Sequence, residues 1–595
     1  MGTMELVCGW LVVILLLMKQ SSIEGKKIFV SKYGAHPNDD LDDTAAIQLA
    51  INDAIKRGYT SEIVFGFGIY AISSTIVIEN AINLTITGEG IDQTYLIAYN
   101  QVSIFFAENC QGLKFTSFSI DYNPLPFTAG YIANIGDTFL DVRVVSPHQT
   151  DVDRQAQAIL RYDPDQKRPA FGQNTYEMYQ TPPTDRNTTI VEPGVLRVPL
   201  SVQTQFRRGD PVVVRYAFRG HAIYGQDLTD ISVQSITIYT SWGMGFVTLR
   251  SRRLRISNYH VLPRDGRWMS TIVDCLHFLD TREYLSITDS ECHAMGDDGL
   301  NVHGVFFLVT NIIDAKTIII QTKTSADPLN FAVGTNLEFS ANQQPFVVHG
   351  SGQVASIAPT NSTDTRKITF TNPVNVTLND WVCVADTPML TIRNFTVANN
   401  RARGVLLETR NIDIRQSLFY RTSGPAVLIQ PSMYWHEGPE AQNVSLVGNV
   451  YIENNEGIAQ EKGVITILPD PVHLVPVIND IRIESSSFYL GLSSQGLLQS
   501  DNMNNLYLTH NYIATNLSTP IISICNSRNI SAANNCVVNM QTKITEYYTF
   551  DQTSPCSMNL SSLIDLPPSA FNASFPPPAI IDKKFYSTFL TEKHK

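Results

Sequence analysis

The sequence predicts an all-β fold: a right-handed parallel β-helix with an N-terminal capping helix and two small β-barrel-like inserts. Short alternating strand segments recur along most of the chain, each ending in Asn, Ser or Gly. Where nothing intervenes they return about every 22 to 25 residues, a solenoid period. No helix-length amphipathic pattern accompanies them, which disfavours leucine-rich and helical solenoids. A hydrophobic fraction of 43% with only 16% charged residues fits a large core and excludes a disordered chain or a charged bundle.

The elements follow in chain order. Residues 1–24 read as a signal peptide: the apolar run Leu6 to Met18 falls short of the roughly 20 residues of a bilayer span. An uncleaved N-terminal anchor is the alternative, since no basic residue precedes the run. Residues 25–128 hold the cap and first rungs. Ile47, Ile51 and Ile55 are helically spaced behind Asp43 or Thr44 as N-cap. This short helix would plug the open end of a stacked sheet. Strand-rich, aperiodic segments at 129–216 and 306–386 are the expected barrel-like inserts. Rungs occupy 217–305 and 387–560, with Asn511 and Asn535 about one period apart, as in a stacked Asn ladder. Residues 561–595 form a Pro-rich tail.

The formal charge of -12 argues against nucleic acid as a partner. Stable membrane insertion is not expected, and self-association into a homo-oligomer is compatible with the composition. The sequons at Asn83, Asn187, Asn361, Asn375, Asn394, Asn443, Asn516, Asn529, Asn559 and Asn572 fit a secreted glycoprotein. After the signal peptide the cysteines are Cys110, Cys275, Cys292, Cys383, Cys525, Cys536 and Cys556, an odd set. Cys275 and Cys292 are either a pair or buried small residues. One bridge could come from the three C-terminal cysteines. No spacing reads as a zinc site.

The stretch Met295-Gly296-Asp297-Asp298-Gly299-Leu300-Asn301-Val302-His303-Gly304 stands out. Asp-Asp-Gly alone is an ordinary turn. Asp274, however, precedes this pair by one solenoid period, which places it on the adjacent rung, roughly 4.8 Å away. Three carboxylates then converge, at least one pKa rises, and a raised carboxyl suits a general acid. Asp297 and Asp298 can reach one cleft only if Gly296 or Gly299 permits a bulge or sharp turn. Asn301 and His303 would hold a sugar hydroxyl or tune an acid; a turn-capping His303 weighs equally. Arg401 and Arg403, two apart, would share one face of a strand. Trp435 is a candidate stacking platform or a rung-packing side chain, and Glu437 a hydroxyl acceptor. Arg267 and Trp268 precede Asp274 and are candidates to line the same cleft.

With these residues the chain resembles glycoside hydrolase family 110, the α-1,3-galactosidases. Lys32-Tyr33-Gly34-Ala35 and Asp42-Asp43-Thr44 resemble the N-terminal cap of the pectate-lyase-like superfamily. Gly243 to Phe246, the Asp-Asp-Gly-Leu-Asn-Val-His-Gly string, Asn399 to Gly404, Ser423-Gly424 and Trp435 to Gly438 resemble the family's core, over most of residues 29–540. Pro425 and Pro439 depart from its pattern. The resemblance implies an inverting exo-hydrolase that removes a terminal α-1,3-linked galactose from an oligosaccharide or glycoconjugate, without metal or cofactor. Its three catalytic aspartates carry over to Asp274, Asp297 and Asp298. Analogy with β-helix polygalacturonases makes Asp297 the general acid and gives the water to Asp274 and Asp298. Rival readings are a polygalacturonase-like hydrolase, whose Arg-Ile-Lys element is missing, and a non-catalytic glycan-binding β-helix. A lyase would want a calcium site and a basic catalytic residue, and neither stands out.

Overall fold

The structure is a computed structural model. It describes residues 26–552 apart from 59, 152, 181–186, 265, 324–330, 458–460, 473–474, 516–521 and 540–544. The signal-peptide reading of 1–24, the tail at 561–595, Cys556, and Asn516, Asn559 and Asn572 lie outside the described residues. No helix among the described residues is long and apolar enough to cross a membrane.

The capping helix is Thr44–Arg57. It buries Ile47, Ala50, Ile51 and Ala54 against the solenoid end, and left-handed Gly58 stops it. Asp43 flanks its start but does not cap it through its side chain. The buried Asp43 carboxylate instead accepts from the N–H groups of His36 and Ala71, both at 2.9 Å, and so ties the plug to the first rung. Asp42 takes the local role, accepting from the Thr44 N–H at 3.1 Å and its hydroxyl at 2.6 Å.

Beyond the plug the chain winds as a right-handed parallel β-helix. A 20-stranded sheet and a 12-stranded sheet enclose a continuous aliphatic and aromatic core. Alternation puts Leu276, Leu300 and Val405 inward in successive rungs, and His277, Asn301 and Leu406 outward beside them. The larger sheet bends once per rung. From the third rung onward a single residue at the bend adopts left-handed backbone: Ser117, Ser235, Asn258, Asp289, Asn394, Gln416, Gly448, Ser485, His510 and Asn534 have φ between 49° and 66°. Mostly small polar side chains are used, which tolerate that region. Just inside the bend runs the expected ladder. Asn511 donates to Asn535 Oδ1 at 2.9 Å and to the Ile483 carbonyl at 3.0 Å, and accepts from the Ser486 N–H at 2.9 Å. Ser417 and Asn449 extend it upward.

Both inserts are antiparallel. In the first, the strand order is Arg168–Pro169, Ala156–Asp163, Pro211–Tyr216, Phe127–Gly136, Phe139–Val144, Val195–Pro199, Thr189–Glu192, with Glu177–Tyr179 paired to Ala156–Asp163. In the second, six strands from Phe307–Asp314 to Trp381–Val384 close a barrel around Phe307, Val309, Leu337, Phe339 and Phe370. Cys275 and Cys292 form a disulfide that links the turn after Asp274 to the strand Arg282–His293 of the larger sheet.

Candidate active site

Each rung enters the smaller sheet through a turn, and the site is a column of such turns. The ladder aligns Met244, Asp274, Asp298, Arg403 and Pro425 on consecutive rungs. The Cys275 N–H bonds the Asp298 carbonyl at 3.0 Å, the Gly299 N–H bonds the Arg403 carbonyl at 3.0 Å, and the Gly404 N–H bonds the Pro425 carbonyl at 2.9 Å. Two aspartates and an arginine thus stack directly. Asp297 joins them because residues 294–299 form a turn. Gly296 and Gly299 make that turn possible through close approach. A Cβ at Gly296 would lie 2.4 Å from the Ile272 carbonyl oxygen, and one at Gly299 2.5 Å from that of Gly404. Arg215 donates to the Gly296 carbonyl at 2.7 Å and Asn400 to the Asp297 carbonyl at 3.0 Å, which fixes the turn from two sides.

One oxygen from each of Asp274, Asp297 and Asp298 lies within 4.8 Å of the others. Each carboxylate has a different partner. Asp298 is buried, accepts from the Arg403 N–H at 2.8 Å and pairs with its guanidinium at 3.0 Å. Asp274 is buried, accepts from the Asp298 N–H at 3.1 Å and meets His277 Nδ1 at 2.8 Å. Asp297, the most exposed of the three, takes an N–H of Arg401 at 3.3 Å, while the rest of that guanidinium forks onto Glu177 at 2.9 and 2.6 Å. Burial, with Asp297 alongside, pushes the Asp274 carboxyl well above its ordinary range. Burial does the same to Asp298, against the opposing pull of Arg403. Although the three oxygens are close enough for a cation, both arginines already supply positive charge to that face, a donor set suited to acid–base work rather than to a hard metal.

A second cluster adjoins the first. His277 Nε2 lies 3.0 Å from His303 Nε2, and His303 Nδ1 donates to the Gly304 carbonyl at 2.9 Å. Glu408 stacks one rung below His303, and Glu437 arrives on a short antiparallel strand paired to Gly304–Val305. His303, Glu408 and Glu437 offer ligand-type atoms within 4.8 Å of one another. Burial and the neighbouring Glu437 push Glu408 well up. For Glu437 burial acts upward too, but His303 and the hydrogen bond from Glu408 outweigh it and hold it low. The hydrogen bond between the two carboxyls requires one proton between them.

The structure brings Asp274, Asp297, Asp298, Asn301, His303, Arg401, Arg403 and Glu437 together. Asn301 is buried, and its Oδ1 has no hydrogen-bond partner among the described residues. Arg401 and Arg403 face the aspartates from a turn rather than a strand, each answering a different carboxylate. Trp435 is 62% exposed beside Tyr434, so it is a surface ring and not a rung filler. The contacts of Arg267 lie elsewhere: it forks onto Asp121 at 2.7 and 3.0 Å. Trp268 is buried, stacked on Tyr162 of the first insert. Sequence reasoning missed His277, Glu408, Glu177 and Arg215. Only His277, three residues after Asp274, left a local trace.

Residues 28–123 match the family model described as rhamnogalacturonase A/epimerase, pectate lyase-like. Alpha-1,3-galactosidase B of Bacteroides thetaiotaomicron is 24% identical over 80% of this chain and 84% of its own. Alpha-1,3-galactosidase A of Shewanella woodyi is 23% identical over 75% and 78%. The family 28 exopolygalacturonase of Yersinia enterocolitica superposes over 86% of this chain and 75% of its own at 9% identity, with a TM-score of 0.43. The chain is therefore a parallel β-helix protein whose first rungs are similar to the pectate-lyase-like proteins and whose turns bring three aspartates together. Both of these relatives carry the name α-1,3-galactosidase, the activity of the family that the sequence motifs resemble.

Proposed function

We propose that the protein is a secreted glycoside hydrolase of α-galactosyl glycans, an inverting exo-enzyme that releases terminal α-1,3-linked galactose. The observation that carries this reading is the trio Asp274, Asp297 and Asp298, each held by a different partner and so set to a different task. Asp297 is the general acid. Its side chain is 26% exposed against 6% for Asp274 and 3% for Asp298, and it shares Arg401 with Glu177. It is therefore the carboxyl that can reach a leaving oxygen. Asp274 and Asp298 hold the water on the buried side. The trio is closer than the roughly 6.5 to 9.5 Å of a simple inverting pair. Inversion here sets the water against the buried two and the leaving group beside Asp297. Asn301 Oδ1 and the Glu408–Glu437 pair accept from sugar hydroxyls, and Trp435 offers a ring face to the sugar. Surface exposure of Asn83, Asn187, Asn361, Asn375, Asn394, Asn443 and Asn529 supports glycan attachment in a secretory route.

Incubation with terminal α-1,3- and α-1,4-galactosides and polygalacturonate tests the activity, with proton NMR following the first product. β-Galactose appearing first from the 1,3-linked substrate is the expected outcome. α-Galactose first would refute inversion, and glycan binding without release would favour the non-catalytic reading. Asp297→Asn should lower kcat on natural glycosides by about 10²- to 10⁴-fold and spare a substrate with an activated leaving group.

A further inference from the structure

The hydrogen bonds around Asp274 fix a proton count. A carbonyl oxygen only accepts, so the contact to Gly304 puts a proton on His303 Nδ1. In a neutral His303 the Nε2 is then bare, and the 3.0 Å contact requires His277 Nε2 to donate. A neutral His277 protonated at Nε2 is bare at Nδ1, and the 2.8 Å contact to Asp274 Oδ2 then needs a donating Asp274 hydroxyl. The only other ways to satisfy all three contacts place the same proton on His277 or His303 as an imidazolium. Every arrangement holds one proton shared by three side chains.

Building on the hydrolase reading above, we propose that Asp274, His277 and His303 share one mobile proton, with the two histidines as positioning residues that store it when Asp274 acts as base. At rest the proton sits on Asp274, which leaves the three aspartates with two negative charges at most. The groups facing His277 are Asp297, Asp298, Glu437 and His221, and burial lowers the His277 pKa, in keeping with that resting place. In turnover the Asp274 O–H bond breaks and an N–H bond forms at His277 Nδ1. The Asp274 carboxylate takes a proton from water as the water oxygen bonds the anomeric carbon. The glycosidic C–O bond breaks, its electron pair goes to the leaving oxygen, and that oxygen takes the proton of Asp297. Return of one proton from Asp274 and His277 through a second water to Asp297 resets the site.

The test is nitrogen-15 NMR of histidine-labelled full-length protein without substrate, combined with kinetics. The expected spectrum shows His277 protonated at Nε2 alone and His303 at Nδ1 alone, unchanged in Asp274→Asn, whose amide supplies the same donor. A proton on His277 Nδ1 in the resting protein overturns the proposal. So does a pattern that changes in Asp274→Asn. His277→Gln, checked for native folding by circular dichroism, should lower kcat about 100-fold with KM within about threefold and shift the pH profile. An unshifted profile would reduce His277 to packing and overturn its role. If the spectrum is as expected but wild-type protein releases no galactose, the hydrolase reading fails and the shared proton stands.

Discussion

Two features recur from rung to rung and are filled by opposite rules. From Ser117 onward the bend of the larger sheet takes a left-handed residue each time, and the position inside it carries Ser or Asn wherever the ladder runs. The turn into the smaller sheet changes from rung to rung, through Met244, Asp274, Asp298, Arg403 and Pro425, and continues to Gly463 and Gly496. The bend has one geometric demand and its backbone groups must be satisfied, so its chemistry repeats. The turn faces outward and its backbone is already paired to the neighbouring rungs, so its side chain is free to vary. Charge gathers on the free column, and the uncharged C-terminal rungs show the same column at rest.

Substitutions that break this contrast rank by how much buried charge they strand. Arg403→Ala leaves Asp298 buried without its guanidinium. It should cost about 3 kcal/mol in chemical denaturation and lower kcat/KM at least 100-fold. Removing the Cys275–Cys292 bridge, which spans 17 residues, with Cys275→Ser and Cys292→Ser should cost roughly 3 kcal/mol, read by the same titration. Asn511→Ala on the bend column should cost about 1 to 2 kcal/mol and leave galactoside hydrolysis unchanged, because the ladder does not reach the trio. Reduced hydrolysis in that variant would join the two columns and sink the contrast.

The smallest effect has the opposite sign. Asp274 has a folded pKa above its unfolded value, so it favours folding below the ordinary carboxylate range and loses that contribution as pH rises through the raised value. Asp274→Asn removes the titration. Its melting temperature should match wild type near pH 4 and exceed it increasingly towards pH 8, while activity is lost. A gap that narrows with pH would contradict the burial account of this carboxyl.

Much of this was legible in the chain itself. The period and the alternation announce the solenoid, the Asn511–Asn535 spacing announces the ladder, and the 24-residue step from Asp274 to Asp298 announces the stack. The pairing of Asp298 with Arg403 was not, because 105 residues separate them and the second insert hides a one-rung relation. Glu177 lies in the first insert, where no period exists to place it. Arg267 misled for a related reason: proximity in sequence to Asp274 does not survive the turn that carries it to Asp121. The helix cap shows a further limit, since Asp43 has the right type for local capping and is drawn instead into a bond with the next strand.

The barrel between Asp298 and Arg403 also bears on how the protein is made. During synthesis Asp298 emerges well before its arginine, and the intervening barrel must be traversed before Arg403 can dock. A chain interrupted inside the barrel carries the aspartates but lacks the guanidinium that accommodates Asp298. The pairing of Asp298 with Arg403 therefore forms late, when the rung after the barrel docks, and Glu437 joins the site later still.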